Sequence, residues 1–193
     1  MIDEVVAAIR AGEPVVLPTD TVYGLCADAH SEQAVRRLYG LKGRKEVQAT
    51  ALVAADADAV VDAVPELRGQ ALLRGPYTLI LPNPARRFSW LTGTRPETIG
   101  VRIPALAGDA AAVLRQVGVV AATSANRPGE RDPRTVEEVP EEFRAASGAV
   151  LDAGPLPGTP STVVDLTGAE PAVLREGAVA ADEALERVRA LVG

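Results

Sequence analysis

The sequence is poor in the side chains that build metal centres, disulfides and nucleic-acid stacking platforms. It has one cysteine, Cys26, and one histidine, His30. The single cysteine rules out a disulfide within the chain, and the pair supplies too few ligands for a zinc site. A lone histidine also argues against a Ser-His-Asp triad. One Trp, three Tyr and two Phe predict no aromatic platform for single-stranded nucleic acid.

Long apolar runs are missing as well. No segment approaches the roughly 20 apolar residues that span a membrane. The start of the chain, "MIDEVVAAIR", carries acidic residues and lacks the basic and apolar segments of a signal peptide. We therefore expect a cytoplasmic protein with no membrane partner. The net charge of −6 argues against extensive nucleic-acid binding but leaves room for a local basic pocket.

The chain has the composition of a globular α/β protein. Its 193 residues, 47% of them hydrophobic, suffice for one domain with a core. Apolar segments typical of strands interleave with amphipathic segments typical of helices, without repeats or linkers. This pattern predicts one domain over residues 1–193, of α/β (α+β) class, with helices flanking a twisted mixed sheet. We expect one helix to begin at Ser31 and end before Gly40, and another to begin with a capping box of Thr135 and Glu138.

Phosphate-binding and nucleophile motifs of the common kinds are absent: there is no Walker-type loop, no G-x-G-x-x-G after a strand and no G-x-S-x-G. Polar side chains nevertheless stand at or near the ends of several predicted strands and helices. They are Thr19, Asp20, Thr21, Lys42, Arg44, Arg102, Ser124, Asn126, Ser161, Thr162 and Arg175. Ligands of open α/β sheets bind beyond the strand ends. Hydroxyls, an amide and four cations there would suit an anionic, polar small molecule.

Each of these signals has a plainer interpretation when it is taken alone. Residues 19–21 and 124–126 could be ordinary turns capped by their own side chains. Lys42 and Arg44 could be a solvated loop, and Arg175 could pair with Glu176. Arg102 is harder to explain in this way, because an arginine within an apolar strand must reach solvent, form an ion pair or hold a ligand.

Six motifs in order across the chain resemble one known family. They are "LPTDTVYGL", "KGR", "TIGVRIP", "TSANRPG", "STVVDL" and "VLREG". Together they resemble the YrdC-like family of threonylcarbamoyl-AMP synthases, in the short form without an extra C-terminal domain. The resemblance implies a twisted sheet around a positively charged cavity. It also implies conversion of L-threonine, bicarbonate and ATP into threonylcarbamoyl-AMP and pyrophosphate, with Mg²⁺ accompanying ATP and no metal site of the protein's own.

The same resemblance implies roles for individual residues. The tetrad K-x-R plus S-x-N would be catalytic, and ATP and threonine would each have their own contacts. The catalytic residues would be Lys42, Arg44, Ser124 and Asn126. The ATP contacts would be Arg44, Thr98, Ser124, Asp132 and Arg175. The threonine contacts would be Thr21, Arg102, the backbone at Ala122, and Ser161, with Arg102 pairing the carboxylate.

The resemblance further implies a place in tRNA modification, as a nucleotidyltransferase. A separate transferase would move the threonylcarbamoyl group to adenosine 37 of ANN-decoding tRNAs, and weak direct binding of tRNA or double-stranded RNA is possible. Two departures motivate an alternative. The family's proline after K-x-R is Lys45 here, and its histidine in the following strand is missing. A YciO-like paralogue, or an RNA-binding protein without threonine activation, is therefore the competing interpretation, although such paralogues lack the S-x-N that is intact here. The segment 43–50 is a candidate lid.

Overall fold

A nine-stranded mixed β-sheet lies at the centre of the protein. This computed structural model describes residues 1–43, 45, 48–70 and 72–192, and of Val192 it describes only the backbone. The strand order is β7-β1-β2-β6-β3-β5-β4-β8-β9. The strands are β1 (Val15–Pro18), β2 (Tyr23–Asp28), β3 (Ala51–Ala54), β4 (Tyr77–Pro82), β5 (Thr98–Arg102), β6 (Val119–Ser124), β7 (Ala149–Val150), β8 (Thr162–Asp165) and β9 (Ala172–Arg175). Three pairs are parallel (β1 with β7, β3 with β5, β4 with β8), and the other five are antiparallel.

Six α-helices in the described part of the chain cover this sheet. They are α1 (Ile2–Arg10), α2 (Glu32–Lys42), α3 (Ala57–Ala63), α4 (Gly108–Val117), α5 (Glu141–Ala145) and α6 (Ala181–Val192). Two begin at side-chain caps, the first of which the sequence predicts. The Ser31 hydroxyl accepts from the Ala34 amide at 3.2 Å, and the Asp56 carboxylate accepts from the Ala59 amide at 2.9 Å.

Alternation along the strands divides the buried residues between the two faces of the sheet. In β1, Val16 belongs to the larger core, which α2, α3 and α6 help to form, whereas Val15 and Leu17 belong to the smaller core beneath α1 and α4. In β4 and β5, the odd-numbered residues point into the larger core. They are Tyr77, Leu79, Leu81, Ile99 and Val101. The even-numbered residues of these two strands are therefore free to form the wall of a cavity on the other face.

Two local expectations need correction, and one strand was not expected. Helix α2 continues through Gly40 to Lys42, and it ends at Gly43, which takes the left-handed conformation at φ +64°. The capping box is wrong, because the Glu138 carboxylate accepts from the Arg134 amide and the Thr135 side chain caps nothing. A single 3₁₀ turn forms at Val136–Glu138, and α5 starts only after Pro140. Strand β2 has no counterpart among the strands that the sequence predicts.

The prediction of a single-domain α/β fold with a twisted mixed sheet and flanking helices is confirmed. The domain boundaries at residues 1 and 193 stay predictions. No helix in the described ranges is both long enough and apolar enough to cross a membrane. Arg44 lies outside the described residues, as does part of the candidate lid at 43–50.

Candidate active site

A cavity of about 350 Å³ opens on the sheet face opposite the larger core. Strands β3, β4, β5, β6 and β8 form its floor, and the loop between β1 and β2 closes one side. Several walls are apolar, including Val22, Val53, Ile80 and Val163. The charged residues of the described lining are Arg102, Arg175 and Asp132. The cavity has the size and mixed lining of a site for a small polar ligand.

Arg102 is held in place by the turn that follows β1. Its Nη2 donates to the Asp20 carboxylate at 2.5 Å and to the Thr21 hydroxyl at 2.7 Å. The second carboxylate oxygen of Asp20 accepts from the Ala105 amide at 2.8 Å. The two ion-paired side chains are only 11% and 10% exposed. Asp20 therefore orients the guanidinium and balances part of its charge. Nε of Arg102 is buried without a hydrogen-bond partner.

The turn itself is ordered by the hydroxyl of Thr19. This hydroxyl donates to the Val22 carbonyl at 2.7 Å and accepts from the amides of Thr21 and Val22, each at 3.2 Å. Since its one proton goes to Val22, the 3.0 Å contact with Thr21 requires Thr21 to donate. Thr21 is fully buried and lies outside the cavity lining. Its hydroxyl contacts two residues that do line the cavity, Thr19 and Arg102.

The opposite wall combines two hydroxyls with a second arginine. The Ser161 and Thr78 hydroxyls lie 2.8 Å apart, and Arg175 Nη2 donates to the Ser161 carbonyl at 2.8 Å. Burial lowers the pKa of Arg175, and the charge of Arg102 lowers it further, while Asp132 acts in the opposite direction. The plainer interpretation of Arg175 is wrong: the Glu176 carboxylate accepts from the Ala181 amide instead. Two guanidiniums therefore face one cavity and repel each other, which favours an anionic ligand between them.

A third group connects the end of α2 to the end of β6. Lys42 is 6% exposed, and its ammonium donates to the Ser124 carbonyl at 2.6 Å and to Asn126 Oδ1 at 2.7 Å. It also donates to the Asn126 carbonyl. The Ser124 hydroxyl donates to the same Oδ1 at 2.6 Å, and Asn126 Nδ2 donates to the Glu130 carbonyl at 2.6 Å. Three of the four predicted catalytic residues thus form one hydrogen-bonded unit.

The predicted residues fall into two sets by position. Those in the cavity lining are Arg102, Ala122, Ser124, Asp132, Ser161 and Arg175. Those described outside it are Thr21, Thr98, Lys42 and Asn126. Thr98 begins β5, where its hydroxyl donates to the Arg95 carbonyl at 3.0 Å. The roles of these residues, and of Arg44, stay predictions.

Sequence reasoning missed several residues of the lining, among them Thr78 and Thr50. Thr78 lies on β4 within "YTLILP", where alternation of Thr78 and Ile80 with Leu79 and Leu81 could have placed it on the face opposite the core. The Thr50 hydroxyl is buried without a hydrogen-bond partner, and no pattern in the sequence indicated this.

The remaining candidates for chemistry are structural. Cys26 lies in the smaller core, and burial raises the pKa of its thiol to about 12, so the group is a buried, unreactive thiol. The His30 ring packs against Phe88, with the ring centroids 5.2 Å apart. The described residues contain no group of three or more His, Cys, Asp or Glu side chains able to hold a metal ion.

The fold and the cavity define an α/β protein in which two guanidiniums face one cavity, and comparison with known proteins identifies the family. The family profile named Sua5_yciO_yrdC, described as "Telomere recombination", matches residues 7–177. A protein of Mycobacterium tuberculosis, provisionally named threonylcarbamoyl-AMP synthase, is 37% identical over 189 residues, covering 94% of this chain and 86% of the relative. The chain belongs to the Sua5/YciO/YrdC family.

Archaeal and bacterial relatives agree with this assignment. The threonylcarbamoyl-AMP synthase of Pyrococcus abyssi is 33% identical over 187 residues, covering 93% of this chain and 54% of the relative. The crystal structure of P. abyssi Sua5 complexed with L-threonine has a TM-score of 0.83 at 32% identity, covering 100% of this chain and 57% of that one. Escherichia coli YciO has a TM-score of 0.75 at 26% identity, with 93% and 90% covered. The chain thus spans little more than half the length of the Pyrococcus protein.

Proposed function

We propose that the protein is an L-threonylcarbamoyladenylate synthase. It would convert L-threonine, bicarbonate and ATP into threonylcarbamoyl-AMP and pyrophosphate, acting as a nucleotidyltransferase. The observation that carries the proposal is the convergence of Arg102, Arg175, Ser161 and Ser124 on one cavity, in a chain whose relatives are named for this activity. The bound threonine of the Pyrococcus structure supports threonine as the amino-acid substrate.

The chemistry asks mainly for charge neutralisation and alignment. The threonine amine would take up CO₂, which bicarbonate supplies with loss of water, and would become a carbamate. A carbamate oxygen would then attack the α-phosphorus of ATP, and pyrophosphate would leave. Both reacting groups are anionic, so preorganised cations lower the barrier by bringing them together. Arg102 and Arg175 are suitably placed for this work. The buried, unsatisfied Nε of Arg102 is a further donor that a bound carboxylate could satisfy.

Mg²⁺ would enter with ATP and neutralise phosphate charge. The described lining offers one carboxylate, Asp132. Asp20 lies outside this lining and is engaged by Arg102 and the Ala105 amide. Mg²⁺ commonly keeps several water ligands and binds nucleotide phosphates with only one or two carboxylates. A single Asp132 therefore fits a metal that is held chiefly by the nucleotide.

The product is a reactive mixed anhydride, so a transferase must consume it promptly. We propose that the acceptor is adenosine 37 of ANN-decoding tRNAs and that a separate transferase performs the transfer in the cytoplasm. Direct binding of tRNA or double-stranded RNA would be weak, in line with the net charge of −6.

The deciding experiment measures pyrophosphate release from ATP with threonine and bicarbonate supplied together and omitted in turn. We expect release only when both are present. Arg102→Gln should lower kcat/KM for threonine on the order of 100-fold or more, since it removes a preorganised charge. The matched control is Arg187→Gln, the same change at an exposed arginine paired with Glu183 on α6. This control should behave as the unmodified protein.

Two outcomes would reject the proposal. Absence of threonine-dependent release, with ATP still bound, would favour the YciO-like interpretation that the structural likeness to YciO keeps open. Strong, salt-sensitive tRNA binding in a gel shift, again without release, would favour an RNA-binding protein.

A further inference from the structure

The hydrogen bonds around Ser124 fix the direction in which its hydroxyl can act. The chain of bonds begins at Lys42, whose ammonium has donors and no acceptor. Asn126 Oδ1 lies 2.7 Å from Lys42 Nζ, and Asn126 Nδ2 lies 2.6 Å from the Glu130 carbonyl oxygen. Turning the amide over would set its NH₂ against the ammonium and its oxygen against a carbonyl. Only one orientation of the Asn126 amide is therefore stable.

That orientation decides where the Ser124 proton goes. Oδ1 of Asn126 carries no hydrogen, and it lies 2.6 Å from Ser124 Oγ. The serine must therefore be the donor in this bond, and a hydroxyl has only one proton to give. Since Ser124 also lines the cavity, what it presents there is a lone pair. A phosphate oxygen, which is itself an acceptor, cannot form a hydrogen bond with a hydroxyl in this state.

From this geometry we propose that Ser124 accepts a hydrogen bond from an N–H or O–H group of the substrate, and that Asn126 and Lys42 act as positioning residues. The proposal rests on the proposed function and deepens it, since it names the kind of substrate atom that this part of the site selects. The donor belongs either to the nucleoside of ATP, as a ribose hydroxyl or the adenine amine, or to threonine, as its amine or hydroxyl.

The loop after β6 supports a ligand contact for Ser124 and positioning roles for Asn126 and Lys42. Asn126 is 8% exposed and closes the turn 127–130 through its bond to Glu130, while Gly129 in that turn has φ +82°. Lys42 binds two backbone carbonyls of the same segment. Neither side chain belongs to the described lining. Both contribute to the site by holding Ser124 and its proton in one arrangement.

The first test measures binding rather than turnover, so that it gives a result even if the proposed function fails. Affinities of the unmodified protein and of Ser124→Ala are compared by calorimetry for ATP, 2′-deoxy-ATP, 3′-deoxy-ATP, ITP and L-threonine. Loss of one hydrogen bond should weaken binding about twofold to tenfold. We expect this penalty to disappear with one nucleotide analogue, which then identifies the donor, or to appear with L-threonine alone.

Three results would overturn the proposal. Ser124→Ala could bind every tested ligand as tightly as the unmodified protein does. The penalty could persist with ATP and all three analogues while threonine binding is unchanged, which would mean a contact to phosphate. It could vanish when Mg²⁺ is removed, which would mean that Ser124 binds the metal.

The second test asks whether Asn126 acts through Ser124. Asn126→Ala should weaken binding of the same ligand when Ser124 is present. In the Ser124→Ala background, it should weaken that binding almost no further. Additive losses would mean that Asn126 contacts the ligand itself and would contradict the positioning role. If Asn126→Ala fails to fold, as thermal unfolding would show, the calorimetric series on Ser124→Ala still decides the direction of the hydrogen bond.

Discussion

At the scale of single residues, the site depends on hydroxyls whose partners are fixed by their neighbours. Ser161 shows this most simply, because Thr78 and Arg175 hold it from two sides. Thr78 was not expected from the sequence motifs, yet it lies in the cavity lining and is only 9% exposed. Its hydroxyl, rather than its bulk, should matter for the orientation of Ser161.

Thr78→Val keeps the shape of the side chain and removes the hydroxyl. We expect KM for threonine to rise about twofold to tenfold, the value of one hydrogen bond, with kcat nearly unchanged. Thr78→Ser, which keeps the hydroxyl, is the control and should lie close to the unmodified protein. Steady-state kinetics with varied threonine check this, and equal KM values for both variants would contradict it.

Asp152 is a second residue whose environment gives a clear expectation. Hydrogen bonds from the Gly154 amide at 2.8 Å and from the Tyr23 hydroxyl at 2.9 Å lower the pKa of its carboxyl. Because the folded pKa lies below the unfolded one, the ionised group favours the folded state. This stabilisation is present above the unfolded pKa of about 3.9 and is lost as the pH falls through the folded value.

The prediction concerns the difference in Tm between the unmodified protein and Asp152→Asn. The difference should be constant from about pH 7 to pH 5 and should shrink below about pH 4. Tyr23→Phe removes one of these donors, so it should reduce this acid-dependent part without abolishing it. Thermal unfolding across pH 2–7 measures both. A Tm difference that does not change with pH would contradict the assignment.

At the scale of elements, the contact between β8 and the segment after β9 forms one wall of the cavity. Gly177 packs closely against the backbone just before β8, so that a Cβ added at Gly177 would lie 2.6 Å from the Ser161 carbonyl oxygen. Its amide donates to the Thr162 hydroxyl at 3.0 Å. The glycine of the "VLREG" motif is therefore required because there is no room for a side chain. Its absence of a side chain allows Ser161 and Arg175 to come into contact.

Gly177→Ala should destabilise the protein by about 1–3 kcal/mol, as overpacking does, and should weaken threonine binding by displacing Ser161. Gly40→Ala is the matched control. Gly40 lies within α2, and a Cβ added there would meet nothing within 4 Å, so the change should stabilise by about 0.5–1 kcal/mol. Denaturant unfolding of both variants tests this, and equal effects would contradict the crowding argument.

At the scale of the whole molecule, the sequence predicted the fold better than it predicted contacts. Strands such as β4 and β6 can be recognised from the sequence because their apolar residues are contiguous. Hydrophobic periodicity missed β2, where Tyr23, Gly24 and Cys26 give no clear pattern and pairing with β1 and β6 decides the structure. The capping box failed because Glu138 accepts from the amide of Arg134, one residue before the expected cap at Thr135.

For the site, too, the sequence predicted which residues come together better than it predicted their contacts. Motif order predicted which residues gather near the cavity, and six of the predicted residues line it. Their hydrogen bonds were not predictable, since Thr21 is joined to Arg102, and Lys42 is joined to Ser124 and Asn126. These are contacts between distant parts of the chain, for which local spacing carries no information.

The strand order has a consequence for how the protein becomes active during synthesis. Strand β4 pairs with β8, and β2 with β6, so residues far apart along the chain must meet before the cavity has walls. Such long-range pairing folds slowly. A nascent chain can form the β1–β2 hairpin early, but it cannot complete the site until Ser161 and Arg175 have left the ribosome. Until then, the unpaired edges of β4 and β2 are open to pairing with other chains, so this interval carries the greatest risk of aggregation.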